Sequence, residues 1–288
     1  MLDTIGNTPL IRIGKIYAKL ETTNPTGSIK DRLAWYLVKK AEGRGELKPG
    51  NVIIEVTSGN TGISLAMVSA IKGYRFTAVM PESASIEKRK MMESFGAEII
   101  LTPAEKEMAG AVETYEEMVR HAKKAWLPCQ FENPDNIAAH REGIGMEIIH
   151  QMGGNVDAFV AGVGTGGTLL GVALALKEIN PKVKIVAVEP MESAVLSGNN
   201  PGRHKISGIG EGFVPWIVKE NRNLIDEVIT VKSIDAIAMS RELSRKYGIM
   251  VGISSGANVL VARKVAKKCK NVVTVLPDRG ERYLSVES

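Results

Sequence analysis

The chain has 288 residues, 44% hydrophobic and 24% charged, an ordinary globular composition long enough for one large domain or two smaller ones. It contains no run of about 18 apolar residues, and MLDTIGNTPL lacks a basic segment followed by a hydrophobic one, so no membrane span, no secretory signal and a cytoplasmic location are expected. The net charge of +5 is spread along the chain without a run of about five or six like charges, which argues against nucleic acid and suits small anionic ligands.

In chain order, the first clear element is an amphipathic helix in NPTGSIKDRLAWYLVKKAEG, 24–43, with Leu33, Ala34, Leu37, Val38 and Ala41 on one face. Lys30 stands at its start, where the positive end of the helix dipole favours a neutral and therefore nucleophilic amine. Apolar runs at 52–56, 76–80, 98–101, 157–161, 183–188, 227–231 and 272–276 read as buried strands. Helical spacing marks 63–71, 86–95, 104–124, 137–151, 168–179, 234–247 and 257–268, with Gly73, Gly96 and Gly248 closing three of them. Alternation of this kind predicts parallel sheets with crossover helices. The glycines near 152–155 divide the chain into two α/β halves, and the glycine- and proline-rich stretch 191–215 is a candidate wall of an active site. Cys129 and Cys269 have neither C-x-x-C spacing nor a histidine cluster nearby, so neither a metal site nor a disulfide is expected.

Two strand–loop–helix turns offer anion sites. GVGTGGT, 162–168, spells G-x-G-x-x-G, and Glu189 follows at the end of the next strand, about 20 residues on, as a dinucleotide fold would have it. The physics of the turn guarantees less than a dinucleotide: unpaired N–H groups at a helix start bind any phosphate. TSGNTG, 57–62, repeats the arrangement in the other half, and Asn60 adds an amide with both donor and acceptor beside two hydroxyls.

NPTGSIKDR, TSGNTG, GVGTGGT and VGISSGA, in this order and framed by IGNTPLIRI and LPDRGERYLS, resemble the cysteine synthase (O-acetylserine sulfhydrylase) family of pyridoxal-phosphate enzymes with the tryptophan-synthase-β type of fold. The resemblance implies two three-layer α/β domains with mainly parallel sheets and the cofactor in the cleft between them. The expected division is 1–37 plus 146–288 for the larger, phosphate-binding domain and 38–145 for the smaller, substrate-binding one. Lys30 would hold pyridoxal phosphate as a Schiff base and serve as general base. Gly164, Thr165, Gly166, Gly167 and Thr168 would bind its phosphate, Asn60 its ring hydroxyl and Ser254 its ring nitrogen. Thr57, Ser58, Gly59 and Thr61, together with Gln130, would grip the substrate carboxylate. On this resemblance Glu189 is a coincidental strand-end acid.

The implied reaction is β-replacement: O-acetyl-L-serine and sulfide give L-cysteine and acetate. The family also implies a homodimer and raises serine acetyltransferase as a partner. Ser83-Ala84 stand where the family more often has Thr-Met, and Arg279 where a small residue is common, which leaves the donor and nucleophile open. The alternatives are cystathionine β-synthase activity, use of O-phosphoserine, and a catalytically silent partner-binding protein, with a dehydrogenase disfavoured. Arg203 and Arg279 favour a phosphorylated donor, whereas SGIGEGFVP, 207–215, carries Glu211 and no cation.

Overall fold

A computed structural model describes residues 1–57, 59–122 and 124–285. In chain order its elements begin with β1 (Leu10–Ile13), β2 (Ile16–Leu20), α1 (Lys30–Arg44), β3 (Val52–Val56), α2 (Asn60–Lys72), β4 (Arg75–Pro81) and α3 (Ile86–Ser94). They continue with β5 (Glu98–Thr102), α4 (Glu107–His121), β6 (Ala125–Trp126), α5 (Asp135–His140), α6 (Met146–Gln151), β7 (Ala158–Gly162), α7 (Gly167–Ile179) and β8 (Lys184–Pro190). The last are α8 (Trp216–Glu220), β9 (Glu227–Val231), α9 (Ser233–Tyr247), α10 (Ile253–Val265) and β10 (Val272–Leu276).

The chain divides into two compact units. The first comprises Met1–Asp3, Lys30–Cys129 and the described residues from Arg282 on; the second comprises Thr4–Ile29 and Gln130–Glu281. These limits differ from the boundaries read from the sequence, 37/38 and 145/146, because α1 and α5 each fall whole within one unit. In the first unit α1 packs against α2, and in the second α5 packs against α7.

In the first unit the strands lie in the order β5-β4-β3-β6, all parallel. Side chains alternate across a strand. Ile54, Val56 and Val79 therefore join Ala111 of α4 in one buried cluster, while Ile53 and Ala78 are buried on the other face of a sheet against which α2 also packs.

The second unit holds a sheet in the order β1-β2-β10-β7-β8-β9, parallel from β2 to β9. Ala158, Val160, Val186 and Val188 pack with residues of α9 and α10. Phe159, Ala161, Ile185 and Ala187 face the opposite way, onto α6 and α7. Continuous apolar strands are what a sheet covered on both faces requires.

The elements β1, β2, β6 and α8 went unread in the sequence. β1 and β2 form an antiparallel hairpin through Gly14–Lys15, with Gly14 at φ +63, so the sheet carries one antiparallel edge. The single helix expected over 137–151 is instead α5, a π-helical turn at Arg141–Gly145, and α6. This broken helix docks closely on α7 because Gly167, Gly171 and Ala175 lie one turn apart. A Cβ at Gly171 would come 2.4 Å from the Ile137 carbonyl oxygen.

Candidate active site

The glycine turn of the second unit runs from the end of β7 into α7, whose N-cap is Gly166 at φ +91. The backbone N–H groups of Gly164, Thr165, Gly166 and Thr168 have no acceptor among the described residues. The Thr165 hydroxyl oxygen accepts from the Asn136 amide nitrogen at 3.0 Å and from Gly167 N–H at 3.4 Å. Thr168 Oγ1 lies 3.3 Å from His140 Nε2. A donor-only nest at the positive end of a helix suits a phosphate. The set therefore fits the cofactor phosphate that the sequence implies.

The stretch 191–215 is stapled down against this turn. Gly210 N–H donates to the Val163 carbonyl at 3.0 Å. A Cβ on Gly164 would come 2.4 Å from the Gly208 carbonyl oxygen, and one on Gly162 would come 2.6 Å from Ile209 Cγ2. The His204 ring spans the loop: Ile206 N–H donates to Nδ1 at 3.2 Å, so Nε2 carries the proton that Gly210 O accepts at 2.8 Å. Glu189, 1% exposed, accepts from Leu196 N–H at 2.8 Å and from the Ser197 hydroxyl at 2.5 Å. Its carboxylate is thus a structural tie for this stretch. Burial works to raise the Glu192 carboxyl, but hydrogen bonds from Ser233 N–H, its own N–H and the Ser233 hydroxyl hold it below the usual carboxylate value.

Ser254 lies in the first turn of α10, is 3% exposed, and has no hydrogen-bond partner for its hydroxyl among the described residues. One turn on, Asn258 accepts from Gly162 N–H at 2.8 Å and donates to the Val275 carbonyl at 3.0 Å. The same face of α10 that carries Ser254 is therefore fixed to the end of β7. Gln130 also belongs to this unit, and its backbone carbonyl accepts from the Asn136 amide at 2.7 Å.

The first unit holds Lys30, Thr57, Gly59, Asn60 and Thr61. Lys30 is the first residue of α1 and half-buried. Its neighbour Asp31, 0% exposed, accepts from the Ser64 hydroxyl of α2 at 2.6 Å and so locks the starts of the two helices together. Thr57 Oγ1 accepts from Gly59 N–H at 3.0 Å and Gly62 N–H at 3.3 Å, which curls the loop after β3 into α2. Gly59, at φ +142, adopts backbone that only glycine tolerates, and the Lys88 stem lies against it. Ser58 lies outside the described residues.

The C-terminal segment supplies what sequence reading missed in this unit. Buried Arg282 donates to Asn60 Oδ1 at 2.6 Å, which fixes the orientation of the Asn60 carboxamide. The Arg282 carbonyl accepts from the Ser85 hydroxyl at 3.1 Å, Lys88 Nζ sits 4.6 Å from the Tyr283 ring centroid, and Ser285 donates twice to Glu87. Burial works to raise the Glu87 carboxyl, but those donors and its own N–H hold it below the usual range. Arg279 donates Nε to the Thr22 carbonyl at 2.8 Å, and Arg203 is exposed. No group of three or more metal-ligating side chains occurs, and no helix is long and apolar enough to cross a membrane, among the described residues.

The family of pyridoxal-phosphate dependent enzymes matches residues 1–278. A cysteine synthase B of Campylobacter jejuni subsp. jejuni serotype O:2 is 49% identical over 291 residues, covering 99% of this chain and 96% of the relative. The crystal structure of cysteine synthase (OASS) from Entamoeba histolytica superposes with a TM-score of 0.94 at 44% identity, covering 99% of this chain and 89% of the other. An O-acetylserine dependent cystathionine beta-synthase from Helicobacter pylori also gives 0.94, at 40% identity and 99% and 96% coverage.

Proposed function

Because the chain belongs to the pyridoxal-phosphate dependent enzymes, we propose that it is a cysteine synthase, replacing the acetate of O-acetyl-L-serine with sulfide to give L-cysteine. Likeness to cysteine synthases over nearly the whole of both chains carries this reading. Bound pyridoxal phosphate supplies the electron sink that acidifies the substrate Cα–H and lets the β-substituent leave.

The residues of the chain divide the remaining work. Gly164, Thr165, Gly166, Gly167 and Thr168 hold the phosphate through N–H and hydroxyl donors. Asn60 donates to the ring oxygen, its orientation set by Arg282. Ser254 meets the ring nitrogen with a neutral hydroxyl, which adds no charge there. Lys30 anchors the cofactor through Nζ, and the same nitrogen then takes the Cα proton and returns it to the product. Thr57, Gly59, Thr61 and Gln130, with Ser58, bind the α-carboxylate. The protein works as a homodimer in the cytoplasm, with serine acetyltransferase as a candidate partner.

Borohydride treatment of the purified protein, followed by peptide mapping, tests the assignment. The label is expected on the peptide carrying Lys30, and a visible absorption band should change when O-acetylserine is added. A colourless protein, or a label on another lysine, overturns it.

A further inference from the structure

We propose that Asn136 is a positioning residue that makes the Thr165 hydroxyl a dedicated donor to the cofactor phosphate, a proposal that rests on reading 164–168 as the phosphate loop. Asn136 is 0% exposed and lies in the first turn of α5. Its amide nitrogen is 2.7 Å from the Gln130 carbonyl oxygen. A backbone carbonyl only accepts, so the nitrogen end of this carboxamide is identified without ambiguity. Its second proton goes to Thr165 Oγ1 at 3.0 Å.

Thr165 Oγ1 accepts again from Gly167 N–H at 3.4 Å. A hydroxyl oxygen has two acceptor positions, and both are in use. The Thr165 proton must therefore be donated outward, and no protein acceptor for it occurs among the described residues. Thr165 is 6% exposed. A buried, oriented O–H donor beside the open N–H groups of Gly164, Gly166 and Thr168 calls for an oxygen-rich anion.

The other end of Asn136 argues against a mere space-filling role. Oδ1 is buried with no hydrogen-bond partner and lies against Gly167, where a Cβ would come within 1.9 Å of it. An unsatisfied buried oxygen costs stability, and an aliphatic side chain of similar volume would fill this place without that cost. The fold keeps an amide where its nitrogen orients Thr165. The same nitrogen holds the Gln130 backbone, so the segment carrying a proposed substrate contact is fixed to the phosphate loop.

The test compares pyridoxal phosphate with pyridoxal, which lacks the phosphate, by titrating the full-length apoprotein of wild type, Asn136→Ala, Asn136→Asp, Thr165→Val, Thr165→Ser and Asn136→Ala/Thr165→Val. Wild type should discriminate strongly between the two ligands. Asn136→Ala and Asn136→Asp should lower that ratio about tenfold or more, the effect of one hydrogen bond to a charged group, with pyridoxal affinity unchanged. Thr165→Val should do the same, Thr165→Ser should restore the ratio, and Asn136→Ala should cost nothing further in the Thr165→Val background. Equal loss for both ligands, or additive losses in the double variant, would mean a structural role only and overturn the proposal. A wild type that binds both ligands equally would instead sink the phosphate-loop reading. Should the Asn136 variants fail to fold, the wild-type carboxamide resonances of Asn136 decide: they must shift with pyridoxal phosphate and not with pyridoxal, and an unmoved pair refutes the proposal.

Discussion

Gly164→Ala places a methyl group where the backbone comes closest to the phosphate loop. The new Cβ would stand 2.4 Å from Gly208 O, 3.4 Å from Gly208 C and 3.8 Å from Ile209 Cα, whereas real Cβ atoms essentially never approach within 3.0 Å. The 207–210 backbone must therefore retreat by at least about 0.6 Å, the difference of those two values. It is held from three sides, by Gly210 N–H on Val163 O, by the His204 ring on Gly210 O, and by Ile209 on Gly162. Overpacking of this sort costs about 1–3 kcal/mol, and a large domain loses about 2–4 °C of Tm per kcal/mol. Thermal unfolding of the apoprotein should show that fall, and pyridoxal phosphate affinity should drop with it because the loop carries the N–H donors. Gly43→Ala is the control: it sits within α1 with nothing inside 4 Å of its Cβ, so it should stabilise by about 0.5–1 kcal/mol. Unchanged stability and unchanged cofactor affinity in Gly164→Ala would refute the steric account.

Lys30→Ala should keep measurable affinity for pyridoxal phosphate through the proposed phosphate loop yet lose turnover, because the proposed function makes anchor and proton carrier one nitrogen; turnover within tenfold of wild type would exclude Lys30 as the base. Arg282→Met removes the 2.6 Å charge-assisted bond to Asn60 and should cost about 1.5–3 kcal/mol in urea unfolding; an unmoved urea midpoint contradicts this. Glu87 has a folded pKa below its unfolded value of 4.5. The stabilisation it lends is therefore complete above that value and lost as pH falls through the lower, folded one. The Tm difference between wild type and Glu87→Gln should accordingly shrink on acidification from neutral pH to about pH 3, and a constant difference would dismiss the Ser285–Glu87 tie.

Sequence patterns carried most of the architecture because strands covered on both faces are continuous apolar runs, and 52–56, 227–231 and 272–276 match the observed strands residue for residue. Both glycine loops and Lys30 were legible for a local reason: each is a helix start that follows a turn. The β1–β2 hairpin escaped because its strands are four and five residues long, with Arg12 and Lys19 interrupting the apolar pattern. The break in 137–151 escaped because a π-turn keeps helical spacing on both sides. Asn136 reads as a turn residue in ENPDN, and only the stripe Gly167, Gly171 and Ala175 hints that something packs tightly on α7. Arg282 could not be found locally at all, since its partner Asn60 is 222 residues away in sequence.

Steady-state kinetics with sulfide test the central claim most directly, by comparing kcat/KM for O-acetyl-L-serine and O-phospho-L-serine as donors, and then homocysteine with sulfide as nucleophiles for the better donor. A cysteine synthase predicts L-cysteine and acetate as products, with O-acetylserine and sulfide the preferred pair. The 207–215 segment carries Glu211 and no cation, so it offers a donor dianion no bidentate partner. Equal or better use of O-phosphoserine, or faster turnover with homocysteine than with sulfide, would contradict the account.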